Sequence, residues 1–230
     1  MKQNPLIIAL DVETIEEAKE LVEKLSPVVD TFKVGSQLFT AYGPSIVQYI
    51  VEKKKKVFLD LKFHDIPNTV ANAVSSAVGL KGVFMLTIHT LGGKEMMMRA
   101  QEAAQQKSKS WGILKPLIVG ITVLTSDDQK DNTSAIVLER AKLAKESGLD
   151  GVVASSQEAA LIRKNLGKDF IIVTPGIRPA GSEAGDQKRV TTPAEAILNG
   201  SNFLVVGRPI VKAADPLKAA KDILKEIEKG

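Results

Sequence analysis

Eight short apolar runs of β type alternate with helical segments along the 230 residues, and that alternation predicts an α/β protein built as a single-domain (β/α)8 barrel over residues 1–230. Two further observations point the same way. No composition break, repeat or linker divides the chain, and its length is normal for one such barrel. The competing architecture, a doubly wound open sheet, normally carries a glycine fingerprint after its first strand; here Ala9-Leu10-Asp11-Val12-Glu13 contains no glycine.

Taken in order, the first strand is the run 6–10, ended by Asp11. Thr14 then opens a helix with Glu17 three residues on, the pattern of a capping box, and Ile15, Ala18, Leu21, Val22 and Leu25 supply its apolar face. The second strand is 32–35, with Lys33 inside it, and a helical stretch passes through Ile46, Val47, Ile50 and Val51. Strand three is 57–62. In an extended strand alternate residues share a face, which sets Asp60 and Lys62 on one side and Leu61 and Phe63 on the other. Pro67 stops the strand from continuing and suits the start of the next helix, read over 69–78.

Strand four is 82–89, followed by a helix over about 94–106, in which Met96, Met97 and Met98 cannot all face inward. Strand five is 116–122, then a polar loop, then a helix over about 133–147 stopped by Gly148. Strand six is 151–155 and helix 157–166 leads to strand seven, 170–174. The longest structureless segment, 175–189, comes next; strand eight is 203–206. The last helix shows an amphipathic face at Leu217, Ala220, Leu224 and Ile227.

Composition excludes several classes. Hydrophobic residues at 44%, charged residues at 25% and mean hydropathy of +0.02 belong to a globular chain with material for a large core. There is no cysteine, which removes disulfides and thiolate chemistry, and His64 and His89 are the only imidazoles, so a structural zinc site is not expected. The net charge of +4 suits a small anion. Its one basic run, Lys53 to Lys56, reads as a solvated helix end, and aromatics at 4% without basic interleaving give nucleic-acid binding little support. The apolar run at 6–10 is too short for a signal peptide or a bilayer span, so no membrane association and a cytoplasmic location are expected.

In a barrel the C-terminal ends of all strands face one mouth, which would gather Asp11, Lys33, Asp60, Lys62, His89, Thr125, Ser155 and Arg208. Alternating Asp11 and Asp60 with Lys33 and Lys62 can hold one lysine protonated and aimed, as a proton donor requires. A Schiff-base lysine would want an apolar pocket or a second cation, against which the carboxylates argue. Asp11 and Asp60 could also take Mg²⁺, but two lysines nearby would repel the ion. Gly207-Arg208, after strand eight, matches the place where barrels bind phosphate. The loop 175–189, with Arg178, Gln187, Lys188 and Arg189, reads as a lid over that phosphate. For His64 and His89 a structural role is preferred, with His89 able to line the pocket.

These residues resemble the bacterial type of the orotidine 5′-phosphate decarboxylase family. The resemblance covers almost the whole chain: Ala9-Leu10-Asp11, Phe32-Lys33-Val34-Gly35, Thr122-Val123-Leu124-Thr125-Ser126, Thr174-Pro175-Gly176-Ile177-Arg178 and Val206-Gly207-Arg208. The specific stretch is Asp60-Leu61-Lys62-Phe63-His64-Asp65-Ile66-Pro67-Asn68-Thr69, whose DxKxxD core is shared with a magnesium-dependent sugar-phosphate decarboxylase and a hexulose-phosphate aldolase. Lys33 and the continuation after Lys62 favour the pyrimidine enzyme.

The resemblance implies decarboxylation of orotidine 5′-monophosphate to uridine 5′-monophosphate with no cofactor and no metal. By that likeness Lys62 protonates C6, Asp60 sits against the carboxylate, Lys33 orients Asp60 and the ribose, and Asp11 holds ribose hydroxyls. Asp65, with Ile66 and Thr69, would enter the neighbouring subunit's site, making a homodimer with shared active sites. Thr125 would bond the pyrimidine edge; Gln187, Arg208 and the Gly207 backbone would take the phosphate, with Arg178 in or beside the lid.

Overall fold

The computed structural model describes residues 4–123, 132–179 and 191–228, and its strands close in chain order into a barrel of parallel pairs. The strands are β1 (Leu6–Ala9), β2 (Thr31–Gly35), β3 (Lys56–Phe63), β4 (Val83–His89), β5 (Leu117–Ile121), β6 (Gly151–Val153), β7 (Ile171–Thr174) and β8 (Phe203–Val206). Around them run α1 (Ile15–Leu25), α2 (Ser36–Tyr42), α3 (Ser45–Glu52), α4 (Pro67–Val78), α5 (Gly93–Trp111), α6 (Thr133–Glu146), α7 (Ser156–Leu166), α8 (Pro193–Leu198), α9 (Arg208–Val211) and α10 (Pro216–Ile227). The expected fold is the observed one.

Parallel strands covered on both faces must be apolar almost throughout, which is why β1, β2 and β8 are wholly buried. The apolar side chains separate into two cores. One fills the barrel: Ile7, Ala9, Phe58, Met85, Val119, Val173, Phe203 and Val205. The larger lies between the outside of the sheet and the helices, and includes Leu6, Ile8, Phe32, Leu59, Leu86 and Ile118. Ile7 and Ile8 thus fall into different cores, as the two-residue period of a strand demands.

Local signals account for most of the helix ends. Thr14 accepts from the Glu17 N–H at 3.2 Å, one half of the expected capping box; the reciprocal box stands at Thr192 and Glu195, ahead of α8, a helix the sequence reading did not place. Pro67 occupies the first turn of α4, so that helix begins two residues before the expected start. Gly148 has φ of +80°, the left-handed turn that ends α6. Met96 and Met97 are fully buried while Met98 is 42% exposed, as three adjacent methionines on a helix require.

One correction concerns a helix face. The inward face of α10 runs through Pro216, Ala220 and Ile223, with Leu224 and Ile227 flanking it; Leu217 is only half-buried, because the helix is turned by about one position from the face its leucines suggest. The helical stretch expected through Ile46 to Val51 is α3, and α2, which ends at Gly43 with φ of +57°, is a helix the sequence reading did not place.

The N-terminal end of the barrel is bolted by side chains. Arg163 on α7 donates to the carbonyls of Gly167, Phe170 and Gly200 and to Asn202 Oδ1, spanning the approaches to β7 and β8. Asp150 accepts from Lys115 Nζ at 2.7 Å and from the Ile118 N–H at 2.8 Å. Among the described residues no helix is long and apolar enough to cross a membrane.

Candidate active site

The site begins with an irregularity in β3. Its pairing with β4 shifts register twice, once between Val57 and Phe58 and again between Leu59 and Phe63. Inside that bulge Lys62 takes φ of +52°, a left-handed backbone that costs a non-glycine residue about 1–2 kcal/mol. The even alternation expected for Asp60 and Lys62 is therefore not what brings them together. The bulge re-aims Lys62, and its Nζ comes to 2.9 Å from Asp60 Oδ2.

Asp60 is the hub. It is 9% exposed, and Lys33, on the neighbouring strand β2, is 8% exposed; two charges so withdrawn from water persist only with partners. Lys33 Nζ lies 2.9 Å from Asp11 Oδ1 and 3.7 Å from Asp60 Oδ2. The four side chains make a chain of alternating sign, Asp11, Lys33, Asp60, Lys62, with Asp11 at the wetter rim. Gly35 gives this chain its room, since a Cβ there would stand 3.1 Å from Lys33 Nζ and 3.4 Å from Asp11 Oδ1.

Thr87, fully buried on β4, completes the arrangement. Its Oγ1 donates to Asp60 Oδ1 at 3.0 Å and accepts from the Lys62 N–H at 2.8 Å.

The tetrad lines a cavity of about 440 Å³, of the size that takes a small ligand. Ala9, Phe58, Val153 and Val205 form an apolar floor continuous with the barrel core, and Ile121 and Val123 one wall. Arg178, Gly207, Arg208 and Lys212 make another part of the lining, distinctly cationic. Arg178 is 9% exposed and anchored, its backbone N–H donating to Thr191 O at 3.0 Å and Nη1 to Ile177 O at 2.9 Å. Burial, and secondarily the Arg208 charge, push its guanidinium down from the usual arginine value. A Cβ at 207 would meet Ala9 Cβ at 3.5 Å, an ordinary contact, so packing does not demand glycine there.

Other expected residues fall elsewhere. Asp65, Ile66 and Thr69 are exposed, Ile66 at 66%, and none lines the cavity of its own chain. Asp65 Oδ1 accepts from the adjacent Ile66 N–H. Ser155, expected at the mouth, is buried as the N-cap of α7, its hydroxyl accepting from the Gln157 N–H, because β6 ends two residues earlier than read. His89 does not line the cavity. It stacks on His64 with ring centroids 5.2 Å apart, and its Nδ1 accepts from the Leu91 N–H, in keeping with the structural role preferred for both. Thr125 and Gln187 lie outside the described residues, as do Lys188 and Arg189. The sequence reading missed Lys212 and Thr87. Lys212 could have been found one helical turn after Arg208; a threonine within an apolar strand gives no signal.

A (β/α)8 barrel whose mouth joins an ammonium–carboxylate chain to a cationic wall, over an apolar floor, belongs to the enzymes that handle phosphorylated small molecules at the C-terminal face of the barrel. Sequence comparison narrows the class. Residues 4–223 match the Orotidine 5'-phosphate decarboxylase / HUMPS family, and the chain belongs to that family. It is 48% identical to an orotidine 5'-phosphate decarboxylase of Moorella thermoacetica, over 98% of this chain and 93% of that one, and 49% identical to that of Syntrophotalea carbinolica, over 96% and 94%. The crystal structure of the orotidine 5'-phosphate decarboxylase from Lactobacillus acidophilus superposes with a TM-score of 0.83 at 37% identity, covering 98% of this chain and 99% of that one.

Proposed function

We propose that this chain decarboxylates orotidine 5′-monophosphate to uridine 5′-monophosphate and CO2, with Lys62 as the proton donor. The family and its named relatives support the reaction. The observation that carries the residue roles is the shared Asp60 carboxylate, which holds Lys62 on one side and Lys33 on the other. The C6–carboxylate bond breaks with its electron pair left on C6, CO2 departs, and a proton passes from Lys62 Nζ to C6. A carbanion at C6 has no ring position into which to delocalise, so a fixed ammonium is the stabilising group the site offers. Asp60 faces the departing carboxylate, and Asp11 and Lys33 take the ribose hydroxyls.

Arg178, Arg208 and the Gly207 backbone receive the phosphate, joined by Gln187, while Thr125 reads the pyrimidine edge. Binding energy gathered at the phosphate, remote from C6, can then be spent on desolvating the reacting centre. Asp65, Ile66 and Thr69 serve the site of a second copy of the chain, a role that their exposure outside the local cavity supports. The active unit is on this reading a homodimer in the cytoplasm, working without a metal or organic cofactor.

The test is the ultraviolet absorbance change on mixing the protein with orotidine 5′-monophosphate. Absence of turnover at micromolar enzyme rejects the reading. Turnover undiminished by a chelator separates it from the magnesium-dependent sugar-phosphate branch.

A further inference from the structure

The left-handed backbone of Lys62 and the orientation of Asp60 both depend on one hydroxyl. Where β3 slips out of register with β4, the ladder does not offer Lys62 its regular partner, and the Lys62 N–H donates instead to Thr87 Oγ1 at 2.8 Å. A hydroxyl has one proton to give. With the N–H occupying an acceptor position of Thr87, that proton goes to Asp60 Oδ1 at 3.0 Å. Oδ1 is thereby engaged from below, and Oδ2 is left for both ammonium groups, Lys62 at 2.9 Å and Lys33 at 3.7 Å. Thr87 itself is inaccessible to solvent, so it meets no substrate.

We propose that Thr87 is a positioning residue for proton transfer, fixing at once the backbone from which the Lys62 ammonium hangs and the carboxylate that aims it. The inference rests on Lys62 being the proton donor. Removing the hydroxyl leaves a buried N–H and a buried carboxylate oxygen each without its partner, and lets Lys62 leave its strained conformation. The loss then falls on the chemical step, with the cationic wall that binds phosphate untouched.

The experiment compares Thr87→Val, which keeps the shape and deletes the hydroxyl, with Thr87→Ser, which keeps the hydroxyl, in steady-state decarboxylation of orotidine 5′-monophosphate by the full chain. The expected result is a kcat at least about tenfold lower for Thr87→Val with KM changed by less than about threefold, and a kcat for Thr87→Ser within about threefold of the parent. Thr87→Val acting like the parent overturns the proposal, as does Thr87→Ser failing as badly as Thr87→Val, or a loss confined to KM. If Thr87→Val does not fold, Thr87→Cys, a near-isosteric and weaker hydrogen-bonding variant, takes its place with the same expectations. If neither folds, Thr87→Ala, which deletes the hydroxyl and adds no bulk, takes their place with the same expectations, and a parent-like kcat overturns the proposal. Lys62→Ala is run alongside. If it stays active the proton-donor reading itself fails, whereas an inactive Lys62→Ala beside a fully active Thr87→Val removes only the role of Thr87.

Discussion

Asp60 Oδ2 lies 2.9 Å from Lys62 Nζ, although the two residues are separated by a single position on one strand. Parallel side chains on a regular strand would leave that carboxylate and that ammonium both aimed into the cavity. Here the bulge turns Lys62 so that it meets Asp60 head to head, and the energy stored in its φ of +52° is the cost of that placement.

Lys62→Ala should therefore lose at least about a thousandfold in kcat while remaining folded, since it removes both the proton and the charge at C6. Asp60 keeps Lys33 and Thr87, which should spare the fold. Turnover and circular dichroism on the same preparation check both halves, and near-parental turnover contradicts the role given to Lys62.

Arg208→Ala should act differently, lowering kcat/KM by about tenfold to a hundredfold, the range of one charge-assisted hydrogen bond. Arg178→Ala should behave similarly, and the pair should be non-additive because the two guanidinium charges already influence each other. Orotidine, which lacks the phosphate, should be insensitive to both substitutions; equal sensitivity would separate these arginines from phosphate binding.

The proposed sharing of sites between two copies of the chain has a test of its own. Lys62→Ala and Asp65→Ala chains, each inactive alone, should regain part of the parental activity when mixed and allowed to exchange, because hybrid dimers contain one site with both residues intact. Demonstrated exchange without recovery would mean that Asp65 acts within its own chain.

The histidine stack predicts an acid lability. Burial, then the charges of His64, Arg140 and Lys62, hold His89 below the ordinary histidine value of 6.5. The unfolded chain then binds the proton more readily than the folded one, so this contribution to stability is whole above about 6.5 and is lost as the pH falls from there through the lowered folded-state value. The melting temperature of His89→Gln should accordingly fall less than the parent's between about pH 7 and pH 5. An unchanged slope assigns the lability to other groups.

At the opposite end of the barrel, Arg163→Ala should remove about 3 kcal/mol of stability, as expected for several part-buried hydrogen bonds lost together, and lower the melting temperature by roughly 10 °C. KM and kcat at room temperature should hold, since Arg163 touches only the segments leading into β7 and β8.

The order of strands, the barrel and the residues at its mouth were legible because each has a local cause. Runs such as 6–10 and 203–206 are apolar throughout because parallel strands are buried on both faces, and Asp11, Lys33, Asp60 and Arg208 stand out as charges within or just beyond such runs. Ser155 shows where this logic stops. The strand ends two residues sooner than its apolar run suggests, and the hydroxyl caps a helix instead of facing the cavity.

By itself, then, the sequence determined that Asp11, Lys33, Asp60, Lys62 and Arg208 converge at the mouth, since periodicity and strand count do not depend on how strands slip past one another, while His89 and Ser155, expected with them, lie elsewhere. Tertiary structure alone decided how those side chains meet. The register shift between β3 and β4, the left-handed Lys62 and the Thr87 hydroxyl beneath it arise from pairing between strands some 25 residues apart along the chain, and no local pattern encodes such a pairing. The same holds for Asp65: its place in the motif is written locally, while its exposure outside its own cavity is a property of the closed barrel.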